Sequence, residues 1–243
     1  MLEIQDLTKK YGSKTAVKQV NLQIGPGEIV GLFGENGAGK TTLLKSILGL
    51  LRYEGRVLLD GEPVSRKNIH RLSFATCEHS FFPGLTAAGH RDFYRDQFPA
   101  FREKRFRALM EFFELPENRL IRSFSTGQQN QFEVILALSQ GADYILMDEP
   151  FAGNDVFNRE DFYRVLLGIL EPTETVILST HLLEEVEQFI SRAVLLHGGR
   201  IAGDVTTLEL QDRGQNLMDY VKQVYSYRAD RVSKALSDLT QEE

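Results

Sequence analysis

Residues 34–41 read GENGAGKT and fit the pattern G-x-x-x-x-G-K-[S/T] of a loop that binds phosphate. Glycines let such a loop curl until successive N–H groups point at phosphate oxygens, and the following helix adds its positive N-terminal end. In this pattern Lys40 reaches the β- and γ-phosphates and the Thr41 hydroxyl binds Mg²⁺. The pattern lies between a strand-like and a helix-like run, which favours a nucleotide site over a glycine-rich turn without a ligand.

Two apolar runs further along the chain end in polar side chains. The run DYILMDEP predicts a buried strand with Asp148 at its carboxyl end, where ligands bind in parallel sheets. Asp148 would hold Mg²⁺ through water, and Glu149 could polarise an attacking water. The run TVILSTH delivers His181 in the same way, and we interpret it as a γ-phosphate contact rather than a structural or solvated histidine. The sequence thus predicts the parts of an ATPase site.

These residues need a scaffold, and the hydrophobic pattern supplies one. The first seventy residues predict strands and turns, including a buried strand at 28–34. Strands and helices then alternate after residue 130, which indicates a mainly parallel sheet covered by helices. Helices are predicted at 41–51, 129–140, 158–170 and 182–191.

Residues 84–122 have a different character, with Arg, Lys, Glu and Phe at helical spacing. Their basic residues, Arg91 to Arg107, are interpreted as a solvated helical face, with a partner-docking surface as the alternative. The phenylalanines are predicted to be core. They are Phe93, Phe98, Phe101, Phe106, Phe112 and Phe113.

Composition excludes some classes of protein. The 243 residues carry a formal net charge of −6, so the chain as a whole is not a basic nucleic-acid binder. Cys77 is the only cysteine, which excludes an intrachain disulfide and fits a reducing cytosol. The N-terminal residues do not form a signal peptide, and no run approaches the ~20 apolar residues that span a bilayer.

Together, these motifs resemble the nucleotide-binding subunit of an ATP-binding cassette (ABC) transporter. The resemblance covers about residues 2–205 and implies an α/β fold. The implied fold has a P-loop NTPase core of the ABC ATPase type. An N-terminal antiparallel β subdomain and an inserted α-helical subdomain accompany this core. The implied ATPase domain is 1–205, with the helical insertion at about 84–128 and a helical C-terminal tail at 206–243.

The resemblance also assigns roles to further residues. Tyr11 lies where the family stacks an aromatic ring on adenine, Asp155 at the D-loop aspartate, and His181 at the switch histidine. FSTGQ, residues 124–128, aligns with the family signature LSGGQ, which closes over the γ-phosphate held by the opposite subunit. The implied catalytic residues are Glu149, His181 and Lys40. The implied nucleotide contacts are Tyr11, Gly34, Glu35, Asn36, Gly37, Ala38, Gly39, Lys40, Thr41, Thr42, Ser125, Gly127, Gln128 and Asp155.

The chain departs from the family pattern at two places. Its signature has Phe124 for leucine and Thr126 for glycine, which is tolerable if the side chain at 126 points away from nucleotide. The segment 72–86 resembles the family's Q-loop, but Cys77 stands at the glutamine that approaches the metal. Glu78 replaces it if the register slips by one, and a small buried hydrophobe is the other interpretation of Cys77.

The resemblance implies an ATP hydrolase that uses ATP and Mg²⁺ and dimerises head-to-tail around two ATP molecules. Together with a second copy of itself or a paralogue, it would drive a separate transmembrane permease. It would lie at the cytoplasmic face of the membrane, and no nucleic-acid partner is expected. The segment 84–122 looks most like the corresponding region in ATP-binding subunits of ABC-2-type export or antibiotic-response systems. The alternatives are a cassette ATPase that acts on a partner outside the membrane and a nucleotide-sensing module with little hydrolysis.

Overall fold

A computed structural model describes residues 1–150 and 156–225, without the side chains of 156–160 and Glu185. The strands of this part of the chain are β1 (Leu2–Tyr11), β2 (Lys14–Ile24), β3 (Ile29–Phe33), β4 (Glu54–Leu59), β5 (Glu62–Pro63), β6 (Leu72–Thr76), β7 (Tyr144–Asp148), β8 (Thr175–Thr180), β9 (Arg192–His197) and β10 (Arg200–Thr206). The helices are α1 (Lys40–Ile47), α2 (Ala87–Gln97), α3 (Glu103–Phe112), α4 (Thr126–Ser139), α5 (Val156–Ile169), α6 (Leu183–Val186), α7 (Thr207–Asp212) and α8 (Leu217–Val224).

The strands form two sheets. The N-terminal sheet is antiparallel with the order β2-β1-β4-β5, and its strands alternate between buried and exposed residues as one-sided sheets do. The larger sheet has the order β10-β9-β3-β8-β7-β6, and all its pairs are parallel except the edge pair β9–β10. Its inner strands β7 and β8 are buried along their whole length. Parallel strands covered on both faces require this continuous apolar pattern.

The register of the parallel sheet aligns the ends of three strands. Phe33 at the end of β3 pairs with Thr180 at the end of β8, and Asp148 at the end of β7 pairs with Ser179. The phosphate loop follows β3, Glu149 follows β7 and His181 follows β8. The chemical groups predicted from three separate stretches of sequence therefore meet at one edge of the sheet.

Two hydrophobic cores cover the two faces of this sheet. One lies between the sheets and includes α1, with Leu43 and Leu44 buried. The other holds α3, α4 and the described part of α5, with Phe106, Phe132 and Phe162 fully buried. The inserted helices α2 and α3 thus share a core with the sheet, through α4.

Three expectations from the sequence need correction. The predicted helix at 182–191 is only the single turn α6, because Ser191 bonds through its backbone and hydroxyl to Ile29 and draws the chain back into the sheet. Of the predicted core phenylalanines, Phe93 and Phe112 are about two-fifths exposed. Arg105 does not lie on a solvated face.

The Arg105 guanidinium is buried between α3 and the region after α5. It forms two hydrogen bonds of 2.9 Å with the Glu174 carboxylate and donates a third, of 3.0 Å, to the Leu138 carbonyl. A buried charge needs a partner of this kind. The helical spacing of the basic residues predicted a solvated face, because it does not reveal that Glu174, 69 residues away, pairs with Arg105.

The described part of the predicted C-terminal tail is helical. Helices α7 and α8 pack Leu210 and Leu217 into the same core as α4. Residues beyond 225 lie outside the described residues, so the domain boundary at 205/206 stays a prediction.

Candidate nucleotide-binding site

The phosphate loop between β3 and α1 is tightly packed from behind. A Cβ on Gly34 would lie 2.5 Å from the Leu196 carbonyl oxygen, and one on Gly39 would lie 2.5 Å from that of Ala16. Gly39 also has a φ of 109°, a backbone angle that residues with a Cβ rarely adopt. The Ala38 carbonyl accepts a hydrogen bond of 3.1 Å from Gly199, so the loop is fixed to the β9–β10 turn. Only glycine fits at these two positions.

Lys40 lies at the first position of α1 and is 6% exposed. Its Nζ donates a hydrogen bond of 2.7 Å to the Gly34 carbonyl and lies 3.8 Å from Glu149 Oε1. The ammonium group is therefore held between the loop and the end of β7.

Two carboxylates follow one another at the end of β7. Asp148 is buried, and its Oδ1 accepts a hydrogen bond of 2.5 Å from the Ser179 hydroxyl. Glu149 has φ of 48° in the left-handed region, and its N–H donates to the Ser179 carbonyl at 3.0 Å. Such a conformation costs of order 1–3 kcal/mol and is typical of functional sites. The turn directs the two acids to different surroundings.

His181 approaches Glu149 from the end of β8. Its Nδ1 lies 3.1 Å from both carboxylate oxygens of Glu149, while more than half of its side chain is exposed. Lys40, Glu149 and His181, which are 109 and 32 residues apart along the chain, thus form one cluster. The spacing of the sequence predicted all three, but not that Glu149 would contact both of the others.

A cavity of about 300 Å³ opens over this cluster. Eight of the predicted nucleotide contacts and the predicted catalytic residue Glu149, nine residues together, line it, and Lys14 and Ala16 line it as well. The nine are Tyr11, Glu35, Asn36, Gly37, Gly39, Lys40, Thr41, Thr42 and Glu149. Sequence reasoning missed Lys14, although the β1–β2 hairpin pairs it directly with Tyr11. The short turn between Tyr11 and Lys14 in the sequence is the signal that could have identified Lys14, because a hairpin places the two residues opposite each other.

Tyr11 stands at the mouth of the cavity with half of its surface exposed. Lys9 Nζ lies 4.7 Å from the centroid of its ring, in a cation–π contact. Gly34 and Ala38 belong to the loop but do not line the cavity, and Asp148 and His181 lie beside it.

The signature segment, residues 124–128, lies at the start of α4 and contributes nothing to the cavity wall. Ser125 is the N-cap of α4, and its Oγ accepts the Gln128 N–H at 3.2 Å while Gln128 Oε1 accepts the Ser125 N–H at 3.0 Å. This capping box begins the helix three residues before the predicted start. The Ser125 hydroxyl accepts in this bond, so its own proton can still be donated. Thr126 is exposed and Phe124 is buried against Phe132.

The predicted Q-loop residues do not line the cavity either. Cys77 is exposed, so its interpretation as a small buried hydrophobe is wrong. Glu78 pairs with Lys45 of α1 at 2.6 Å. Asp155, predicted as the D-loop aspartate, lies outside the described residues.

No helix in the described ranges is long and apolar enough to cross a membrane. Within the same ranges there is also no group of three or more His, Cys, Asp or Glu side chains that could hold a metal ion by themselves.

The fold and the site define a class: an α/β protein with a phosphate loop, a helical insertion and a separate antiparallel β layer. A model of the ABC transporter family matches residues 17–152. The lipopolysaccharide export system ATP-binding protein LptB of Haemophilus influenzae is 30% identical over 93% of this chain and 96% of its own length. The Nod factor export ATP-binding protein I of Cupriavidus pinatubonensis is 31% identical over 99% of this chain and 76% of its own length.

A solved structure agrees with these matches. The dimeric structure of MJ0796, a bacterial ABC transporter cassette, is 25% identical, covers 85% of this chain and 98% of its own, and has a TM-score of 0.75. The same cassette, bound to ADP and Pi in a post-hydrolysis state, has a TM-score of 0.74. The chain belongs to the ABC transporter family, as an ATP-binding subunit with ATPase activity. The predicted family, fold class and enzyme class are therefore confirmed.

Proposed function

We propose that this chain pairs head-to-tail with a second copy or a paralogue around two ATP–Mg²⁺ complexes and drives a separate membrane permease. One observation carries the proposal: the cavity is built from the phosphate loop, Tyr11 and Glu149, whereas Ser125 and Gly127 lie outside it. The γ-phosphate contacts expected of Ser125 and Gly127 would therefore come from another chain. A two-fold arrangement supplies them, because each signature segment then faces the loop of the other subunit.

The binding step would use residues that line the cavity. Tyr11 would stack on adenine, and the N–H groups of the loop with Lys40 would surround the β- and γ-phosphates. Gly34 and Ala38 would support the loop from behind. Across the dimer, the Ser125 hydroxyl and the Gly127 N–H would donate to the γ-phosphate at the start of α4, where the helix dipole favours an anion.

The residues near the γ-phosphate position fit Mg²⁺. Thr41 offers a hydroxyl, and the buried Asp148 offers a carboxylate. Mg²⁺ prefers such hard oxygen ligands and is usually held by one or two protein groups together with waters and phosphates, so a cluster of three protein ligands is not needed. The metal would neutralise charge on the phosphates. Neither Cys77 nor Glu78 lines the cavity, which weakens a metal role for them.

Hydrolysis would use the cluster at the ends of β7 and β8. Glu149 would orient the attacking water and accept its proton, since its carboxylate lines the cavity. His181, 3.1 Å from that carboxylate, would hold it in place and contact the γ-phosphate. Lys40 would balance the negative charge that develops there.

The partner would be a permease, and transport would be export. The names of the two curated relatives, lipopolysaccharide export and Nod factor export, support this direction. Helix α2 leaves Phe93 exposed beside Phe82. Contact with a permease through the helical insertion would hold the chain at the cytoplasmic face of the membrane. Co-purification from detergent-solubilised membranes is expected to recover one multi-helix membrane protein, and recovery of ribosomes or DNA instead would contradict the proposal.

Substitution of Ser125 separates its two roles. We expect Ser125→Asp to keep the melting temperature near wild type, because aspartate is an equally good N-cap. Hydrolysis should nevertheless be lost, because a carboxylate would face the γ-phosphate of the partner's ATP. Ser125→Ala should cost about 1 kcal/mol of stability through the lost cap. Thermal melting and phosphate release measure the two effects.

Thr206→Asp is the matched control for this substitution. Thr206 caps α7 in a second capping box, with Glu209 as its partner. Its substitution should leave hydrolysis unchanged. Wild-type hydrolysis by Ser125→Asp would contradict the role of the signature segment.

A further inference from the structure

A single buried carboxylate connects α4 to the chain segment that follows β6. Glu133, in the second turn of α4, is 1% exposed. Both of its oxygens accept the Ser80 N–H at 3.0 Å, and Oε1 also accepts the Ser80 hydroxyl at 2.5 Å. Ser80 itself is exposed, so water could satisfy its donors without Glu133. The buried carboxylate of Glu133 therefore binds Ser80, a residue that is exposed to solvent.

The bridging segment, residues 77–82, has further attachments. His79 Nε2 lies 2.7 Å from Asn130 Oδ1, one helical turn before Glu133. The Phe82 N–H donates at 2.9 Å to Nε2 of the buried His90 in α2. The pKa of His90 is lowered by burial, in keeping with a neutral ring that accepts this bond.

The other end of the bridging segment is attached to the phosphate-loop helix. Glu78 pairs with Lys45 in the last turn of α1, at 2.6 Å. Helix α1 begins at Lys40, and helix α4 is capped by Ser125. The segment therefore joins two helices that each begin at a phosphate-binding motif. A narrow crevice lined by Cys77, Glu133 and Pro150 lies between the segment and the residue after Glu149.

The charge on Glu133 has a cost in stability. Burial raises the pKa of this carboxyl above its ordinary value of 4.5, although the Ser80 hydrogen bonds lower it. A raised pKa in the folded state means that its contribution to stability is full below the unfolded value and is lost as pH rises through the folded value. Burial therefore opposes ionisation of this carboxyl, and its hydrogen bonds from Ser80 offset part of that cost.

We infer that Glu133 is a positioning residue, which fastens the bridging segment to α4 so that nucleotide bound at α1 sets the orientation of the signature segment. This inference rests on the proposed head-to-tail dimer. It assigns to Ser80 and Glu133 the connection that glutamine would make at position 77, where this chain has an exposed cysteine. ATP binding within one chain does not need the connection, but closure of two chains does.

The test measures ATP-dependent dimerisation in a Glu149→Gln background by analytical ultracentrifugation, with ATP affinity and melting temperature in parallel. Glu133→Leu is expected to raise the dimer dissociation constant about tenfold, the effect of losing a buried hydrogen-bonding group. ATP affinity should change less than about twofold, since neither Glu133 nor Ser80, to which its carboxylate is hydrogen-bonded, lines the cavity. Glu133→Gln keeps an acceptor for the Ser80 N–H and should stay within about threefold of the parent.

A second pair of variants keeps the inference falsifiable should Glu133→Leu not fold. Ser80→Ala removes the hydroxyl bond to Glu133 and keeps the N–H bond, so by itself it should weaken dimerisation less than Glu133→Leu does. It should add nothing to a substitution of Glu133 that already removes the acceptor of that hydroxyl. Ser73→Ala, in the buried part of β6, removes a hydroxyl without a hydrogen-bond partner in the described structure and should have no effect. Parental dimerisation by Glu133→Leu, equal losses of ATP affinity and dimerisation, or additive effects of Ser80→Ala would overturn the inference. Absence of a dimer in the parent itself would instead refute the proposed function.

Discussion

Replacing Glu149 with glutamine is expected to lower kcat for ATP hydrolysis by about 10²–10⁴, the usual contribution of a general base. ATP binding should persist, because glutamine retains the shape and the backbone N–H bond to Ser179, while the loop and Tyr11 are unchanged. Bound ATP would then not be consumed, and the ATP-bound dimer should accumulate. Phosphate release and analytical ultracentrifugation with ATP and Mg²⁺ measure the two effects.

Glu114→Gln is the matched control for this substitution. Glu114 also has a left-handed φ, 52° against 48° for Glu149, but it is exposed and does not line the cavity. The same change of charge on the same backbone conformation should leave both measurements at wild-type values. Undiminished hydrolysis by Glu149→Gln would remove Glu149 from the catalytic step.

Replacing Lys40 with methionine is expected to weaken ATP binding by about ten- to a hundredfold, the range for a lost hydrogen bond to a charged group. Lys40 is the buried cation of the cavity wall, and its ammonium group lies between the Gly34 carbonyl and Glu149. Methionine has a similar length and leaves Glu149 without its neighbouring positive charge. Titration with a fluorescent ATP analogue measures the affinity.

Lys10→Met provides the control for this prediction. Lys10 is half exposed, pairs with Glu54 and does not line the cavity. Its loss should leave affinity unchanged, whereas an equal effect of both substitutions would show that the charge of the whole surface, and not Lys40, attracts the nucleotide.

The sequence predicted the central part of the site because that part obeys local rules. A phosphate loop needs glycines at fixed positions, and apolar runs that end in Asp148, Glu149 or His181 bring these groups to one edge of a parallel sheet. The family and the fold class followed from the same motifs. Helix α1 and strands β3, β7 and β8 lie within a few residues of their predicted bounds.

The remaining features depend on contacts distant in the sequence. Arg105 looks like one more basic residue of a helical face until Glu174, 69 positions later, neutralises it. Glu133 likewise reads as a polar interruption of an apolar helix, because Ser80, which it holds, is 53 residues away. Residues 182–191 have helical spacing, but their bonds to β3 end the helix after one turn.

Mixing two inactive variants tests most directly whether each site is shared between two chains. A Lys40→Met chain keeps its signature segment, and a Ser125→Asp chain keeps its phosphate loop. In a head-to-tail pair, the intact halves of the two chains meet in one complete site. Phosphate release from the equimolar mixture should therefore clearly exceed that of either variant alone. No gain on mixing, with both variants folded and associating, would contradict a site shared between subunits.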